Sequence, residues 1–409
     1  MLYAVDSRWL GGLFLRFLQI ISWFAGGRYL VGAGVVMLLS LIPAQAQDSR
    51  VLTWVASLDT AGNANGVAVQ DTILYVADEA RGLATIDVSD VAQPKELGRV
   101  ELAGPVLDVA VAGDYAWLAT YDGGLAVVDV TDPVVPVVLS ESVLTGWTLQ
   151  ATVAAGMACM ASEDAGLQLV NVNQPEAPVF LGFTGFEIQD YAYASVLRGT
   201  MALGAFGKGG LRMYDVSTPS APLMVGQLSL RGTSRDVVWE GDTAFVASDQ
   251  FGLQVVDCSD PTVPTVLSDF ASPGRVFAVA VEDGIAYLAK YNSGVQAVNV
   301  GNPEAPVDGG FLATSGSCLD LCVDQGVVYV ADGRDGITIM RYTVPPPPPG
   351  MVLVREGDEW YIRWDPLSGA KLYRSVELGN DGWVEVPVPQ KPGEHRIRPS
   401  EAKGFFQLH

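Results

Sequence analysis

Histidine is nearly missing from this 409-residue sequence: there are two, His395 and His409, and none before them. A Ser-His-Asp triad, a His-ligated metal or haem and a His general base all need an imidazole at the site, so residues 1–394 are a poor host for any of them. Cysteine is almost as sparse, at four. Cys318 and Cys322 stand four apart in a run that reads as a strand, too far to bridge at about 3.3 Å per residue. With no Cys-x-x-Cys pair and no histidine nearby, zinc has no ligand set, and the four read as buried free thiols. No phosphate-cradling glycine loop, Gly-x-Ser-x-Gly elbow or Cys–His pair occurs, and no stretch keeps helical spacing over a useful length. Charge is scarce too, at 17% of residues, and one-sided: 24 Lys and Arg against 46 Asp and Glu give a net −22. Nucleic acid and anionic lipid surfaces would repel such a chain, which leaves cationic, neutral polar or metal-bearing partners.

What is present is apolar and repetitive. The 49% hydrophobic content supports a large core, and the length exceeds that of one average domain. Residues 1–46 stand apart: Arg28 precedes the apolar stretch YLVGAGVVMLLSLIP, and Ala44-Gln45-Ala46 follows as a small-x-small cleavage pattern. The stretch is short against the roughly 20 residues of a membrane span. It reads as a signal peptide, with export to a secreted, periplasmic or cell-surface location, a chain starting near Gln47, and no membrane span in the mature protein.

The decapeptide GLAVVDVTDP, beginning at Gly124, has near copies at Gly82, Gly166, Gly210, Gly252 and Gly294, and a degenerate one, GITIMRYTVP, at Gly336. The intervals between these glycines are 42, 42, 44, 42, 42 and 42 residues. A period in the forties made of short apolar runs is the mark of propeller blades. Each unit resolves into four runs rich in Val, Ile and aromatics, separated by Gly, Asp and Pro turns. The seventh unit stops after its third run, while residues 52–60 match the fourth-run segment 94–102 at the same offset of 42. The N-terminal strand is therefore expected to complete the last blade and close the ring, removing an exposed edge. The fold expected is all-β: a seven-bladed β-propeller over 47–344, a stiff polyproline linker at 345–349, and a small β-sandwich-like domain over 350–409 with Trp360, Trp364, Tyr373, Trp383 and Phe406 as its core.

The repeated GLxVVDVxDPxxP core resembles the LVIVD repeat of secreted or surface bacterial β-propellers, over residues 51–343. The resemblance implies a fold and a compartment but no particular activity. The C-terminal segment resembles the short fibronectin-like domains appended to secreted bacterial proteins, with fewer residues than a full seven-strand sandwich needs.

Repetition also sorts the polar residues. Asp87, Asp129, Asn171, Asp215, Asp257 and Asn299 recur inside the motif and are assigned to blade-to-blade or turn hydrogen bonds. Asp108, Asp236 and Asp320 share one place at the start of the innermost strand, where the other units have Gly66, Gln150, Ala194 and Ala278. As channel carboxylates they admit three readings: acceptors for backbone N–H groups, ligands of a cation such as calcium, or a pair serving a glycosidase or lyase.

The loops between second and third strands, and those between units, are expected on one face around the channel mouth, where binding groups concentrate. That face collects the ligand-binding candidates Asp122, Trp147, Glu163, Asp164, Phe206, Lys208, Asp249, Phe251, Tyr291 and Asp335, beside Asp78, Arg81, Phe186, Tyr191, Arg235, Lys290 and Arg334. Aromatics among carboxylates suit stacking on sugars or anchoring of a peptide. The 44-residue interval, within 179–202, marks the fourth unit as an asymmetric contact. With no catalytic set, metal site or cofactor signal, the function expected is a non-enzymatic binding scaffold for a protein or carbohydrate. The alternative is a glycan-active enzyme using the channel carboxylates.

Overall fold

The computed structural model describes residues 51–122, 124–185 and 190–343, and beyond them the strands within 352–408. Over 51–343 the chain forms seven four-stranded antiparallel sheets. Strand β1 spans Val51–Leu58, and the first blade runs β2 (Gly66–Gln70), β3 (Ile73–Ala77), β4 (Leu83–Asp87) and β5 (Lys95–Val100), paired in chain order. Five more blades repeat this pattern. The seventh contributes three strands of its own, Asp320–Asp324, Val327–Ala331 and Ile337–Thr343. β1 pairs with the last of these, from Val51 opposite Thr343 to Leu58 opposite Ile337, so the N-terminal strand closes the ring. No helix among the described residues is long and apolar enough to cross a membrane.

The unbroken apolar runs follow from where the middle strands sit. Ile285–Ala289 is buried at every position and Leu83–Asp87 at all but the last, because each blade is sandwiched between two neighbours and both faces of its sheet meet apolar surface. The outermost strands are mixed, and Lys95–Val100 has no fully buried residue. Buried apolar side chains group into seven clusters, each drawn from two adjacent blades: Val67, Leu74 and Ile86 of blade 1 meet Tyr329, Ile337 and Ile339 of blade 7 in one of them. The core is thus a ring of interfaces rather than one centre.

The opening motif divides its work. Its Asp or Asn accepts the N–H two residues on, as Asp129 Oδ1 does from Thr131 at 2.9 Å and Asp257 Oδ1 from Ser259 at 2.9 Å, an Asx-turn that ends the third strand. Its proline faces the preceding blade. Ser140 Oγ donates to Pro175 O at 2.8 Å and Ser268 Oγ to Pro303 O at 2.6 Å. Where the outer strand has Gly226 instead, a Cβ there would lie 2.1 Å from Pro261 O. Glycine admits that close carbonyl because it has no Cβ, whereas Ser140 and Ser268 meet theirs through a donated hydroxyl.

Cys159, Cys258 and Cys318 are buried and Cys322 is half-buried, all of them free thiols. Burial pushes the Cys159 thiol up to about 12, which removes its thiolate at neutral pH. Within 352–408, Val352–Glu356, Glu359–Arg363 and Glu394–Ile397 form one three-stranded sheet, and Leu372–Ser375, Val384–Glu385 and Phe405–Leu408 another. The expected signal peptide at 1–46, the polyproline linker, Phe186 and the side chains of the C-terminal aromatic core lie outside the described residues.

Candidate functional site

The innermost strands enclose a central channel of about 400 Å³ lined chiefly by Val and Ala. Its polar chemistry comes from one repeated pair of positions. The N–H groups of Val67, Val109, Ala151, Ser195, Val237, Val279 and Leu321, one per blade, all find side-chain acceptors at the position before theirs, in their own blade or the preceding one. Asp108 accepts from Val109 and, across the junction, from Ala151 at 2.9 Å. Asp236 accepts from Val237 at 2.8 Å and from Val279 at 2.9 Å. Asp320 accepts from Leu321 and from Val67 at 2.9 Å. Gln150 accepts from the remaining donor, Ser195, at 3.0 Å. Three carboxylates and one amide thus satisfy seven donors. Gly66, Ala194 and Ala278 can be small because the preceding blade's side chain serves the N–H that follows each.

These acids touch channel solvent but sit deep among blade atoms. Burial pushes Asp108 and Asp236 up to about 6 and Asp320 well above the usual carboxylate range, against the lowering by their N–H partners. Asp236 raises Asp108 further, and both raise Asp320. Of the three readings of the channel carboxylates, acceptance of backbone N–H groups is the one their geometry displays. Among the described residues no group of three or more His, Cys, Asp or Glu side chains is placed to hold a metal ion.

Six of the seven blade junctions carry a common short bridge among the described residues, joining Ala64 with Gly333, Glu79 with Val106, Glu163 with Ala192, Gly207 with Ser234, Asp249 with Val276 and Tyr291 with Cys318. Each links the loop between a blade's second and third strands to the segment leading into the next blade, so the two loop sets share one face. The bridging residue of the former loop has a positive φ, between 25° and 65°, which Glu79, Glu163, Asp249 and Tyr291 adopt despite their side chains. Blade 2 departs. Tyr121 stands at its bridging place, donates its N–H to Pro105 O at 2.9 Å, and stacks its ring on Trp147 with centroids 4.8 Å apart.

Trp147 is 48% exposed. Asp122 and Asp164 beside it are exposed and Glu163 is half-buried. Desolvation, then the charges of Glu163 and Asp122, raise the Tyr121 phenol, and Glu163 is itself raised by burial and by Asp164. Asp122, Trp147, Glu163 and Asp164 therefore come together at the junction of blades 2 and 3. Tyr121 is a fifth member, which no repeated motif marks. A signal for this sector does exist in the sequence: no Lys or Arg occurs between Arg99 and Arg198, while twelve Asp and Glu do.

The other candidates fall elsewhere. Asp249 is 9% exposed and occupied: Arg275 Nε and Nη2 donate to its two oxygens at 2.8 and 3.1 Å, and Arg235 approaches to 3.6 Å. Desolvation alone would raise Asp249, but the two guanidiniums outweigh it and hold the carboxyl below the usual range. Phe206 is a correction to the sequence expectation. It is fully buried between blades 3 and 4 with the Arg212 guanidinium 4.6 Å from its ring, because it directly follows the buried second strand, Met201–Ala205, and turns inward. Lys290 and Asp78 are buried as well, the former against Gln296 at 3.3 Å, the latter paired with Arg99 at 2.7 Å. Lys208 and Asp335 are exposed, Phe251 is 45% exposed under Arg231, and Tyr291 is half-buried and stacked on Phe277 at 4.7 Å.

With fold and face in place, the class of protein is a closed seven-bladed β-propeller. A family model described as the LVIVD repeat matches residues 61–101, 103–145, 197–229 and 231–271, which are blades 1, 2, 4 and 5. Four of the seven blades are thus LVIVD repeats, and the other three share their spacing and strand order. No curated protein matches the chain. Among solved structures it is similar to the WD40 β-propeller domain of Doa1, with a TM-score of 0.59 at 11% identity over 72% of this chain and 97% of that one. It is similar to the WD40 repeats of RRP9, at 0.57 and 13% over 74% and 99%, and to the computationally designed Ika8 protein, at 0.54 and 9% over 71% and 99%. At such identities these likenesses show the fold alone.

Proposed function

We propose that this protein is an exported, non-enzymatic binding scaffold that engages a protein or carbohydrate through its loop face, with the contact centred on blades 2 and 3. One observation carries the reading: the exposed Trp147, backed by Tyr121 and flanked by Asp122, Glu163 and Asp164, stands where the repeat breaks its own bridging pattern. A rigid aromatic pair offers contact area with little rotamer entropy to lose, and the carboxylates around it can bond hydroxyls or cations. The cleavage pattern at 44–46 supports export, and the C-terminal module is read as a spacer or attachment domain.

Catalysis on the channel acids has less support, because Asp108, Asp236 and Asp320 each already accept two backbone N–H groups. Polysaccharide turnover abolished by Asp236→Asn would reverse that judgement. For the binding reading, the full chain is immobilised and exposed to a glycan array and to secreted proteins. Trp147→Ala is expected to weaken the captured ligand by at least about tenfold while leaving the melting temperature unchanged. Equal capture by wild type and Trp147→Ala would sink the assignment.

A further inference from the structure

The residue just before each channel-lining position stands at the rim of the channel on the loop face. Three of these rim residues are leucines, Leu107, Leu149 and Leu319, and a fourth is Asn65. Blades 4, 5 and 6 place Tyr193, Arg235 and Phe277 there instead, all half-buried. Arg235 is the rim's one cation. Its guanidinium lies between the rings of Tyr193 at 5.0 Å and Phe277 at 4.6 Å, with Arg275 beside it, 4.8 Å from the Phe277 centroid. The two arginines share a single carboxylate. Arg275 takes both Asp249 oxygens, Arg235 is left at 3.6 Å, and Arg235 Nε is buried with no hydrogen-bond partner among the described residues. Two cations against one anion leave a surplus charge and one unmet donor, which is itself buried, in a place where both side chains still reach solvent. Buried donors without partners are rare unless a ligand or water completes them.

We propose that this arc of the rim binds a small organic carboxylate with an apolar body. The planar guanidinium fork of Arg235 matches a carboxylate in shape and charge, with Arg275 adding to the field. The leucines elsewhere on the rim offer apolar surface and no polar partner, so they suit an aliphatic or aryl body rather than a polyhydroxylated one. The site is separate from the Trp147 ledge, and either can fail without the other.

Hexanoate is the probe, with hexanol as its uncharged counterpart and glucuronate as its polyhydroxylated one, titrated into the full chain at low ionic strength by calorimetry or ligand-detected NMR. Saturable hexanoate binding is expected, with hexanol and glucuronate at least about tenfold weaker. Arg235→Gln should weaken hexanoate by at least about tenfold, Arg235→Lys by less since it keeps the charge but loses the fork, and Lys95→Ala on an outer strand not at all. Thermal melts establish that each variant is folded, and Arg275→Gln, on the more exposed partner, gives a second reading. The proposal is overturned by unchanged hexanoate affinity in both Arg235 variants, by equal binding of hexanol, by preference for glucuronate, or by the lack of saturable hexanoate binding.

Discussion

Residues 100–197, which build blades 2 and 3, carry twelve Asp and Glu and no Lys or Arg, whereas residues 198–290, from blade 4 into blade 6, carry ten against seven. Both stretches fold into the same four-stranded sheets, end their third strands with the same Asx-turns and staple their inner strands with the same acceptors. Charge on the loop face is therefore independent of what the blade needs to fold. Glu163 and Asp249 make the contrast sharpest, since they occupy one repeat position, share a positive φ and form equivalent bridges. Asp249 is clasped by two arginines. Glu163 is raised, by burial first and then by the charge of Asp164.

The largest expected effect tests that pair. Asp249→Asn should destabilise the fold by about 2 kcal/mol, since it leaves two guanidiniums against a neutral amide, a figure reduced from that of a fully buried pair because both arginines reach solvent. Glu163→Gln should change stability by less than about 0.5 kcal/mol. Denaturant midpoints measure both, and similar losses at the two positions would erase the distinction between the sectors.

A smaller effect concerns the channel, where Asp108 belongs to the cation-free sector and Asp236 to the other. Burial pushes both up to about 6 in the fold, against 3.8 for a free aspartate. Between those values the folded chain holds protons that the unfolded chain has lost. The stability they contribute is fully present below about 3.8 and is lost as pH rises through about 6. The melting temperature should therefore rise as pH falls from about 7.5 to about 5. Further acidification should reverse the trend, because Asp129 and Asp215, held low by hydrogen bonds from Thr131 and Ser217, give stability that is lost as they protonate. Asp108→Asn and Asp236→Asn should flatten the upper limb equally, because burial is the main cause at both sites. A steeper change at Asp108 would mean that the charge of blades 2 and 3 reaches the channel.

The smallest effect is on the surface. Asp164→Lys, which places a cation among carboxylates, should stabilise by a few tenths of a kcal/mol at low salt and by nothing measurable at high salt. Asp242→Lys, in the mixed sector, should do less. An equal gain at the two sites would indicate that net charge alone matters.

Legibility in the sequence tracks the range of the forces involved. The seven blades and the closing strand are readable because each rests on a spacing of 42, and the repeated Asp and Asn are narrowed to turn or blade-to-blade bonds, of which the structure shows the turn. Tyr121 escapes notice because its importance lies in departing from the bridging place that Glu79 and Glu163 occupy, and because its partner Trp147 comes from the segment leading into the next blade. Phe206 misleads for the opposite reason: it sits in a loop sequence, yet its side chain turns into the interface between blades 3 and 4. The 44-residue interval points to the fourth unit, but the exposed aromatic pair lies at the junction of blades 2 and 3.

Sequence alone determined the number of blades, their strand order and the ring closure, since periodicity and turn residues are copied with each repeat, while the repeated Asp and Asn were narrowed to blade-to-blade or turn hydrogen bonds and the structure shows the turns. Only the tertiary structure decided that Asp249 is clasped, that Phe206 is buried, that Trp147 stands open on Tyr121 and that Arg235 Nε goes unmatched. Each of those outcomes depends on which side chain a neighbouring blade presents across the junction. That identity is set by packing between repeats, and no pattern within a single repeat encodes it.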